Sequence, residues 1–170
     1  MSQSKKYIIS DLHLSHKNIL KYSGSLRGGT TSEEHDEWII TQWNSIVTKH
    51  DLVYVLGDIS MGRQGLALVK RLKGNKMLIR GNHDVYATKD YLQYFQEVHG
   101  LLHYRGVFWM SHAPIHPNEL RGRFNLHGHV HQNSIPDDRY INCCVEMSYG
   151  VPQSLDDLFE KYKDRIVKKD

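Results

Sequence analysis

The sequence predicts an α/β fold built as two layers or a sandwich, and three features support this prediction. Short apolar runs closed by a glycine or a polar residue are typical of buried strands. In the first half of the chain these runs alternate with segments of helical periodicity, while the second half is richer in strands. The chain of 170 residues, 39% of them hydrophobic, matches a domain with its own core, so we expect one domain over residues 1–170.

The elements of the first half follow from apolar runs and helix signals. A capping box, in which Thr31 precedes Glu34 by three residues, predicts that a helix begins there. Apolar side chains then recur on one helix face, at Ile39, Trp43, Ile46 and Val47. The other expected elements are strands at Tyr7–Ser10, Leu52–Leu56 and Met77–Ile79, a glycine-containing loop at Tyr22–Thr31 and a short helix at Leu66–Leu72.

The elements of the second half are mostly strands. The expected strands are Val107–Met110, Phe124–Leu126 and Ile141–Val145. A final amphipathic helix over Leu155–Tyr162 has Ser154 as its expected N-cap. The charged segment from Lys163 onward is expected to be the frayed end of this helix.

Composition excludes several classes of protein. No apolar run reaches the roughly 18 residues of a membrane span, and residues 1–6 are polar, so we expect no secretory signal. The net charge of +3, from 22 Lys and Arg against 19 Asp and Glu, is too small and mixed to indicate a nucleic-acid binder. Cys143 and Cys144 are adjacent and predict no ordinary disulfide, so a reduced, cytoplasmic setting is expected.

Histidine is unusually frequent, at 12 of 170 residues, and is the commonest metal ligand. Ligand-type residues directly follow five strand-like runs, at Asp11-Leu12-His13, Gly57-Asp58, Gly81-Asn82-His83-Asp84, His112 and Gly128-His129-Val130-His131. Because sites in α/β sheets form at the carboxyl ends of strands, these side chains are expected to converge. Their nitrogen and oxygen donors suit Mn²⁺, Fe²⁺, Ni²⁺ or Zn²⁺. About seven donors are too many for one four-coordinate ion, which predicts two divalent ions sharing a carboxylate.

The five blocks resemble the calcineurin-like metallophosphoesterase superfamily. Its pattern D-x-H, G-D, G-N-H-[DE], H, G-H-x-H is present in order from Asp11 to His131. The first block reads D-x-H-x-x-H-x-N, ending at Asn18, and is most similar to small bacterial and phage members. The resemblance implies two mixed β-sheets packed face to face as a sandwich and flanked by helices, without a lid domain.

The resemblance also implies a role for each residue of the pattern. One metal ion would be held by Asp11, His13, Asp58 and His131, and the second by Asp58, Asn82, His112 and His129, with Asp58 as the bridge. His83 would face the substrate, and Asp84 would orient the His83 ring. The implied enzyme is a phosphoesterase in which a metal-bridging hydroxide attacks a phosphomonoester or a small, nucleotide-like phosphodiester.

Elementary electrostatics agrees with those roles. Two divalent ions carry +4, and Asp11, Asp58 and a bridging hydroxide subtract three, so the site keeps a charge of about +1. Such a site attracts phosphate and stabilises the charge of the transition state. His83 can donate a proton to the leaving oxygen.

Several nearby residues admit two interpretations. Arg27, Arg121 and Arg123 are candidates for binding substrate phosphate, and the alternative is a solvated charge. His16 and Asn18 either support the metal site or approach the substrate, and the alternative is that they are ordinary loop residues. His127 is expected near the site without ligating the metal.

Two alternatives to a small-substrate enzyme stay open. The fold can serve as a non-catalytic protein-interaction module, although His83 and all seven ligand positions are filled here. A nuclease would keep the chemistry, but long nucleic acid is a disfavoured partner because the basic residues form no continuous track. We expect a small phosphate ester as substrate and no membrane partner.

Overall fold

The computed structural model describes residues 4–166, which form two β-sheets and six α-helices. The strands are β1 (Lys6–Ile9), β2 (Leu52–Val55), β3 (Asn75–Ile79), β4 (Glu97–His99), β5 (Leu102–Tyr104), β6 (Phe108–Met110), β7 (Phe124–His127), β8 (Tyr140–Asn142) and β9 (Gln153–Ser154). The helices are α1 (Ile19–Ser23), α2 (Ser32–Ile46), α3 (Gly62–Leu68), α4 (Thr88–Tyr91), α5 (Val145–Ser148) and α6 (Leu155–Tyr162). No helix in this described range is long and apolar enough to cross a bilayer.

Both sheets are mixed, which confirms the expected fold class. The first sheet has the order β4-β3-β2-β1-β9, with β9 antiparallel to β1 and the other neighbours parallel. The second has the order β5-β6-β7-β8, with β5 antiparallel to β6 and the other neighbours parallel. The parallel strands β1, β2, β3, β6 and β7 precede the five blocks of ligand-type residues.

Alternation along the strands divides the apolar side chains between two cores. Ile9 on β1 packs in a core with Ile39 and Trp43 of α2, on the outer face of the first sheet. Its neighbour Ile8 points to the other face and joins Phe108 and Leu126 of the second sheet. The two sheets therefore pack face to face, and α2 covers the outer side of the first.

The capping signals predicted from the sequence are confirmed. Thr31 Oγ1 accepts a hydrogen bond from the Glu34 N–H (3.2 Å), although the Glu34 carboxylate bonds back to Thr30 rather than to Thr31. Ser154 Oγ accepts from the Asp157 N–H (3.2 Å) and α6 has the predicted bounds. Residues Lys163–Arg165 continue as a 3-10 turn, and residues 167–170 of the predicted tail lie outside the described range.

Three predicted boundaries are wrong. The expected loop Tyr22–Thr31 contains the end of α1 and a 3-10 turn at Gly24–Leu26. The expected helix at Leu66 begins earlier, at Gly62, where no side chain caps it and no sequence signal marks the start. The expected strand Ile141–Val145 ends at Asn142, and Val145 starts a helix instead. Strands β4, β5 and β9 were not expected, because two or three residues carry too little periodicity and pairing with a neighbouring strand defines them.

Candidate metal centre

The five blocks come together at the carboxyl ends of the parallel strands. Asp11 follows β1, Asp58 follows β2 and Asn82 follows β3, while His112 and His129 follow β6 and β7 of the second sheet. Backbone hydrogen bonds join the first two turns, from the Asp11 N–H to Gly57 O (3.1 Å) and from the His13 N–H to Asp58 O (3.0 Å). The site is therefore assembled from both sheets.

An unusual backbone conformation aims these side chains inward. Asp11, His13, Asp58, His129 and His131 all have φ between 51° and 72°, in the left-handed region that non-glycine residues rarely adopt. The side-chain alternation of an extended strand ends at such a turn. The direction of each side chain then depends on the backbone angles of its own residue. Here both imidazoles of the last block face the site, with His129 Nδ1 3.0 Å from Asn82 Oδ1 and His131 Nε2 3.8 Å from Asp11 Oδ1.

Two groups of donor atoms have the spacing of a metal site. One group joins Asp11, His13 and His131, and the other joins Asp11, Asp58 and His112. The donor atoms of each group all lie within 4.8 Å of one another. The two groups meet at Asp11, so two adjacent ions could share this crevice.

The Asp58 carboxylate belongs to the second group and also lies close to the first. Its Oδ2 atom is 3.7 Å from His13 Nε2 on one side and 3.4 Å from His112 Nε2 on the other. Asn82 Oδ1 completes the second group, 2.9 Å from His112 Nε2 and 3.0 Å from His129 Nδ1. Asp58 is therefore close to donor atoms of both groups.

The residues fit divalent metal ions. Asp11 Oδ1 and both ring nitrogens of His13 are buried and have no hydrogen-bond partner among residues 4–166. Buried polar atoms without partners are costly and need an explanation. Donors at 2.0–2.2 Å from a common ion lie roughly 3–3.6 Å apart, close to the 3.6 Å between Asp11 Oδ1 and His13 Nε2.

Hydrogen bonds outside the crevice orient the donors. Asp11 Oδ2 accepts from Ser10 Oγ (2.6 Å) and from the His129 N–H (2.8 Å), which leaves Oδ1 for an ion. Burial by itself raises the pKa of Asp11, but hydrogen bonds and nearby imidazoles outweigh it and hold that pKa well below its usual range. His112 Nδ1 donates to Leu56 O (2.7 Å), so the neutral ring keeps a free lone pair on Nε2.

The Asp84 carboxylate, expected to orient the His83 ring, makes its hydrogen bonds to backbone groups in this structure. It accepts backbone N–H groups of Asp58 (2.9 Å), Ile59 (3.0 Å) and Gly81 (2.8 Å), and within residues 4–166 it makes no hydrogen bond to the His83 ring. Burial raises the pKa of Asp84, against the effect of these three donors. Asp84 therefore ties together the turns that carry Asp58 and Asn82.

His83 lies at the rim of the crevice. Its side chain is 45% exposed, and its Nε2 atom is 3.9 Å from Asp58 Oδ2. Its backbone N–H donates to Asp58 Oδ1 (2.9 Å). The imidazole is thus next to the candidate metal ligands and still open to a ligand from solvent.

Arg27, a candidate for substrate contact, is buried beside the first block. Arg27 is only 3% exposed, and its guanidinium donates to Glu146 Oε1 (2.8 Å) and to the backbone oxygens of Asp11 (2.7 Å) and Leu12 (3.3 Å). A fourth contact joins it to His35 Nε2 (3.2 Å). A guanidinium enclosed in this way has no face for a substrate phosphate.

Arg121 and Arg123 do not reach the crevice either. They precede Phe124, the first residue of β7, whereas His129 follows the last one, so they lie at the opposite end of the strand. Together with Arg139 and Arg165 they line a separate cavity of about 520 Å³. Sequence proximity to two ligand segments was misleading, because an intervening parallel strand carries the chain from one edge of the sheet to the other.

The remaining candidates lie around the site. The His16 ring is 5.4 Å from the His13 ring, and burial lowers the pKa of His16. Asn18 is exposed, and its backbone N–H donates to His16 Nδ1 (3.1 Å). His127 is buried, with Nδ1 2.9 Å from Gly128 O, and burial lowers its pKa.

One residue of the site was missed altogether. Glu146 Oε1 lies 2.9 Å from His131 Nδ1 and also accepts from Arg27 and from Ser23 Oγ (2.8 Å). Burial alone would raise the pKa of Glu146, but these three partners lower it to about 2. The same carboxylate raises the pKa of His131. No local pattern marks Glu146, since its partners are 15 or more residues away.

Comparisons with known proteins agree with the fold. The family model of the calcineurin-like phosphoesterases matches residues 5–168. An uncharacterized protein, MJ1445 of Methanocaldococcus jannaschii, is 34% identical over 169 residues, covering 92% of this chain and 90% of that protein. The gene 66 protein of Mycobacterium phage L5 is 37% identical over 112 residues, which is 63% of this chain and 49% of its own length.

A solved structure extends the comparison to three dimensions. The crystal structure of AQ665, a protein of unknown function from Aquifex aeolicus, superposes with a TM-score of 0.73 at 26% sequence identity. The match covers 94% of this chain and 100% of that one. With a family match over nearly all of its length and two mixed sheets that bring the five blocks together, this chain belongs to the calcineurin-like phosphoesterase family.

Proposed function

We propose that the protein is a metal-dependent phosphoric ester hydrolase that binds two divalent ions and cleaves a phosphomonoester or a small phosphodiester, including nucleotide-like ones. One observation carries the proposal: buried donor atoms of Asp11 and His13 lack partners within the described residues, in a crevice that also holds His131, Asp58 and His112. Membership of the phosphoesterase family supports the reaction class.

In this proposal the donor set is divided between two ions. Asp11, His13, Asp58 and His131 would hold one, and Asp58, Asn82, His112 and His129 the other, with Mn²⁺, Fe²⁺, Ni²⁺ and Zn²⁺ as the suitable metals. Bound divalent ions supply positive charge for a phosphate and lower the pKa of water, so that a nucleophile forms at neutral pH.

The protein's own groups would do the rest of the chemistry. The imidazole of His83, half exposed at the rim, would donate a proton to the leaving oxygen. Its backbone N–H and the carboxylate of Asp84 would hold the position of Asp58. The positive charge of the ions held by Asp58 and the other ligands would orient the phosphate toward the attacking group.

Hydrolysis assays with metal added back test the proposal. Protein that has been freed of metal with a chelator is assayed with bis-p-nitrophenyl phosphate and p-nitrophenyl phosphate after addition of Mn²⁺, Ni²⁺, Zn²⁺ or Mg²⁺. We expect metal-restored turnover that Asp58→Ala abolishes and that the exposed control Asp138→Ala retains. The ratio of diester to monoester turnover then selects the natural substrates to screen. No turnover with any metal, from folded protein, would overturn the proposal and favour a protein-interaction module.

A further inference from the structure

A buried ion pair lies behind the candidate metal centre. Arg27 Nε donates to Glu146 Oε1 at 2.8 Å, and both side chains are fully buried. Neither residue belongs to the five blocks of ligand-type residues. Burying two charges costs free energy that their attraction only partly offsets, so a buried pair is weak evidence for stability alone. The contacts of each partner indicate a different role.

Glu146 controls the orientation of one candidate ligand. Its Oε1 atom is 2.9 Å from His131 Nδ1. A carboxylate can only accept, so Nδ1 carries the proton and the neutral ring presents an unprotonated Nε2. That Nε2 atom faces Asp11 Oδ1 at 3.8 Å, in the first donor group. Glu146 is the one hydrogen-bond partner of His131 Nδ1 among residues 4–166, so its loss would remove the preference for this tautomer.

Arg27 holds the turn that carries the first block. Its Nη2 donates to Asp11 O (2.7 Å) and its Nη1 to Leu12 O (3.3 Å). Asp11 and His13 on this turn have φ of 60° and 51°, a conformation that is costly for side chains with a Cβ. Because the guanidinium is planar and fixed by Glu146, it keeps both carbonyl groups in place.

We propose that Arg27 and Glu146 form a positioning pair that joins the first and last blocks of the site, with Glu146 selecting the tautomer of His131 and Arg27 holding the Asp11–His13 turn. The proposal rests on the proposed metal-binding roles of Asp11, His13 and His131. Neither Arg27 nor Glu146 is expected to touch a substrate or an ion.

A tautomer measurement on metal-free protein tests the role of Glu146. Protein labelled with ¹⁵N at histidine is studied by NMR at about pH 9, where imidazoles are neutral. In the wild type we expect the proton of His131 on Nδ1. Glu146→Ala should shift His131 toward the mixture of free imidazole, and Glu146→Gln should retain the Nδ1 proton, because its amide oxygen can still accept. An unchanged tautomer in folded Glu146→Ala protein would overturn the proposal.

Metal titration by calorimetry measures the consequence. We expect Glu146→Ala to weaken Mn²⁺ or Zn²⁺ affinity by about 10–100-fold, the effect typical of removing a partner behind a ligating histidine. Glu146→Gln should lose less than about tenfold, and the matched control Glu37→Gln, which breaks the exposed pair with Arg71, should lose nothing. Equal affinities of wild type and Glu146→Ala would contradict the proposal.

A separate variant tests Arg27. Arg27→Lys keeps the positive charge but removes the planar guanidinium that donates to both Asp11 O and Leu12 O. We therefore expect weaker metal binding while the His131 tautomer is retained. Full metal affinity in this variant would contradict the role of Arg27. If wild-type protein binds no metal, the proposed function fails, whereas the tautomer measurement still decides the role of Glu146.

Discussion

At the scale of the residue, the site concentrates backbone strain. Five of the seven candidate ligands have left-handed φ angles, and each such angle costs of order 1 kcal/mol for a residue with a side chain. Strain of this kind persists only when the surroundings determine the conformation. Here the surroundings are Arg27 beneath the first turn and Asp84 beneath the second. The two residues therefore matter for the shape of the site without facing its opening.

His83 is predicted to act on the leaving group. His83→Ala removes the imidazole but keeps the backbone N–H that holds Asp58, so metal content by elemental analysis should be unchanged. We expect turnover to fall by about 10²–10⁴-fold for alkyl phosphates and much less for p-nitrophenyl phosphate, which needs no acid. His50→Ala is the exposed control. Equal losses on both substrates would argue against an acid role.

Asp84 is predicted to act through structure. Asp84→Asn replaces one acceptor oxygen by an NH₂ group that faces backbone N–H donors. We expect the free energy of unfolding to fall by about 1–3 kcal/mol in urea denaturation, and metal affinity to fall with it. A variant that keeps full stability and metal affinity, yet changes only the dependence on leaving group, would show instead that Asp84 orients the His83 ring.

At the scale of the element, close approach between turns explains the glycines of the motif. Gly57, after β2, has φ of +86°, and a Cβ there would lie 2.6 Å from Gly81 Cα and 2.8 Å from His112 Nδ1. The turns after β2, β3 and β6 can therefore meet only if this position lacks a side chain. Adjacent parallel strands bring the chain to one edge, and the small residues let the donors approach one another.

The start of the first sheet depends on another aspartate, Asp51, which precedes β2. Its carboxylate accepts the Lys5 N–H (2.8 Å) and the Thr48 N–H (2.8 Å). Burial would raise the pKa of Asp51, but these hydrogen bonds lower it below its ordinary value. The ionised carboxylate therefore stabilises the fold above the ordinary aspartate pKa of about 3.9, and this stabilisation is lost as pH falls below it.

Asp51→Ala should reduce the free energy of unfolding by roughly 1–3 kcal/mol at pH 7, measured by urea denaturation of chelated protein. The difference from wild type should shrink as the pH is lowered from about 6 to 3, because the wild type gains the proton that removes its advantage. Asp138→Ala is the exposed control. A difference in unfolding free energy that grows on acidification would contradict the stabilising role of the ionised Asp51 carboxylate.

At the scale of the whole molecule, the candidate metal centre links the two sheets. The first sheet supplies Asp11, Asp58 and Asn82, and the second supplies His112 and His129. An ion bound by ligands from both sheets would act as a cross-link between the sheets. The unfolded chain lacks such a cross-link. Ligand binding to the folded state alone stabilises it by mass action.

Removal of metal is therefore predicted to lower thermal stability. Metal at about 100 times its Kd adds about 2.7 kcal/mol, which for a domain of this size corresponds to roughly 5–10 °C in Tm. Calorimetry of protein with chelator and with Mn²⁺ or Zn²⁺ should show this difference. Asp58→Ala should melt at the same temperature with and without metal. A rise in Tm with metal as large as that of the wild type would contradict the bridging role of Asp58.

Much of this molecule was predictable from local sequence. The apolar runs of β1, β2 and β6, the Thr31 cap of α2 and the Ser154 cap of α6 are all as expected. The short strands β4 and β9 were not, because strand pairing across distant segments defines them. The roles of the seven candidate ligands stay a prediction, although the structure brings their side chains into one crevice.

The family and the five converging segments could be predicted from sequence alone, because each segment pairs a strand-like run with ligand-type residues in a fixed order. The residues that lie behind these segments are known only from the three-dimensional structure. Arg27 lies behind the site instead of at its opening, Asp84 bonds to backbone, and Glu146 contacts His131. Arg27 and Glu146 are 119 residues apart, and both are buried. Burial and pairing over that separation depend on how the sheets pack, which no local pattern records.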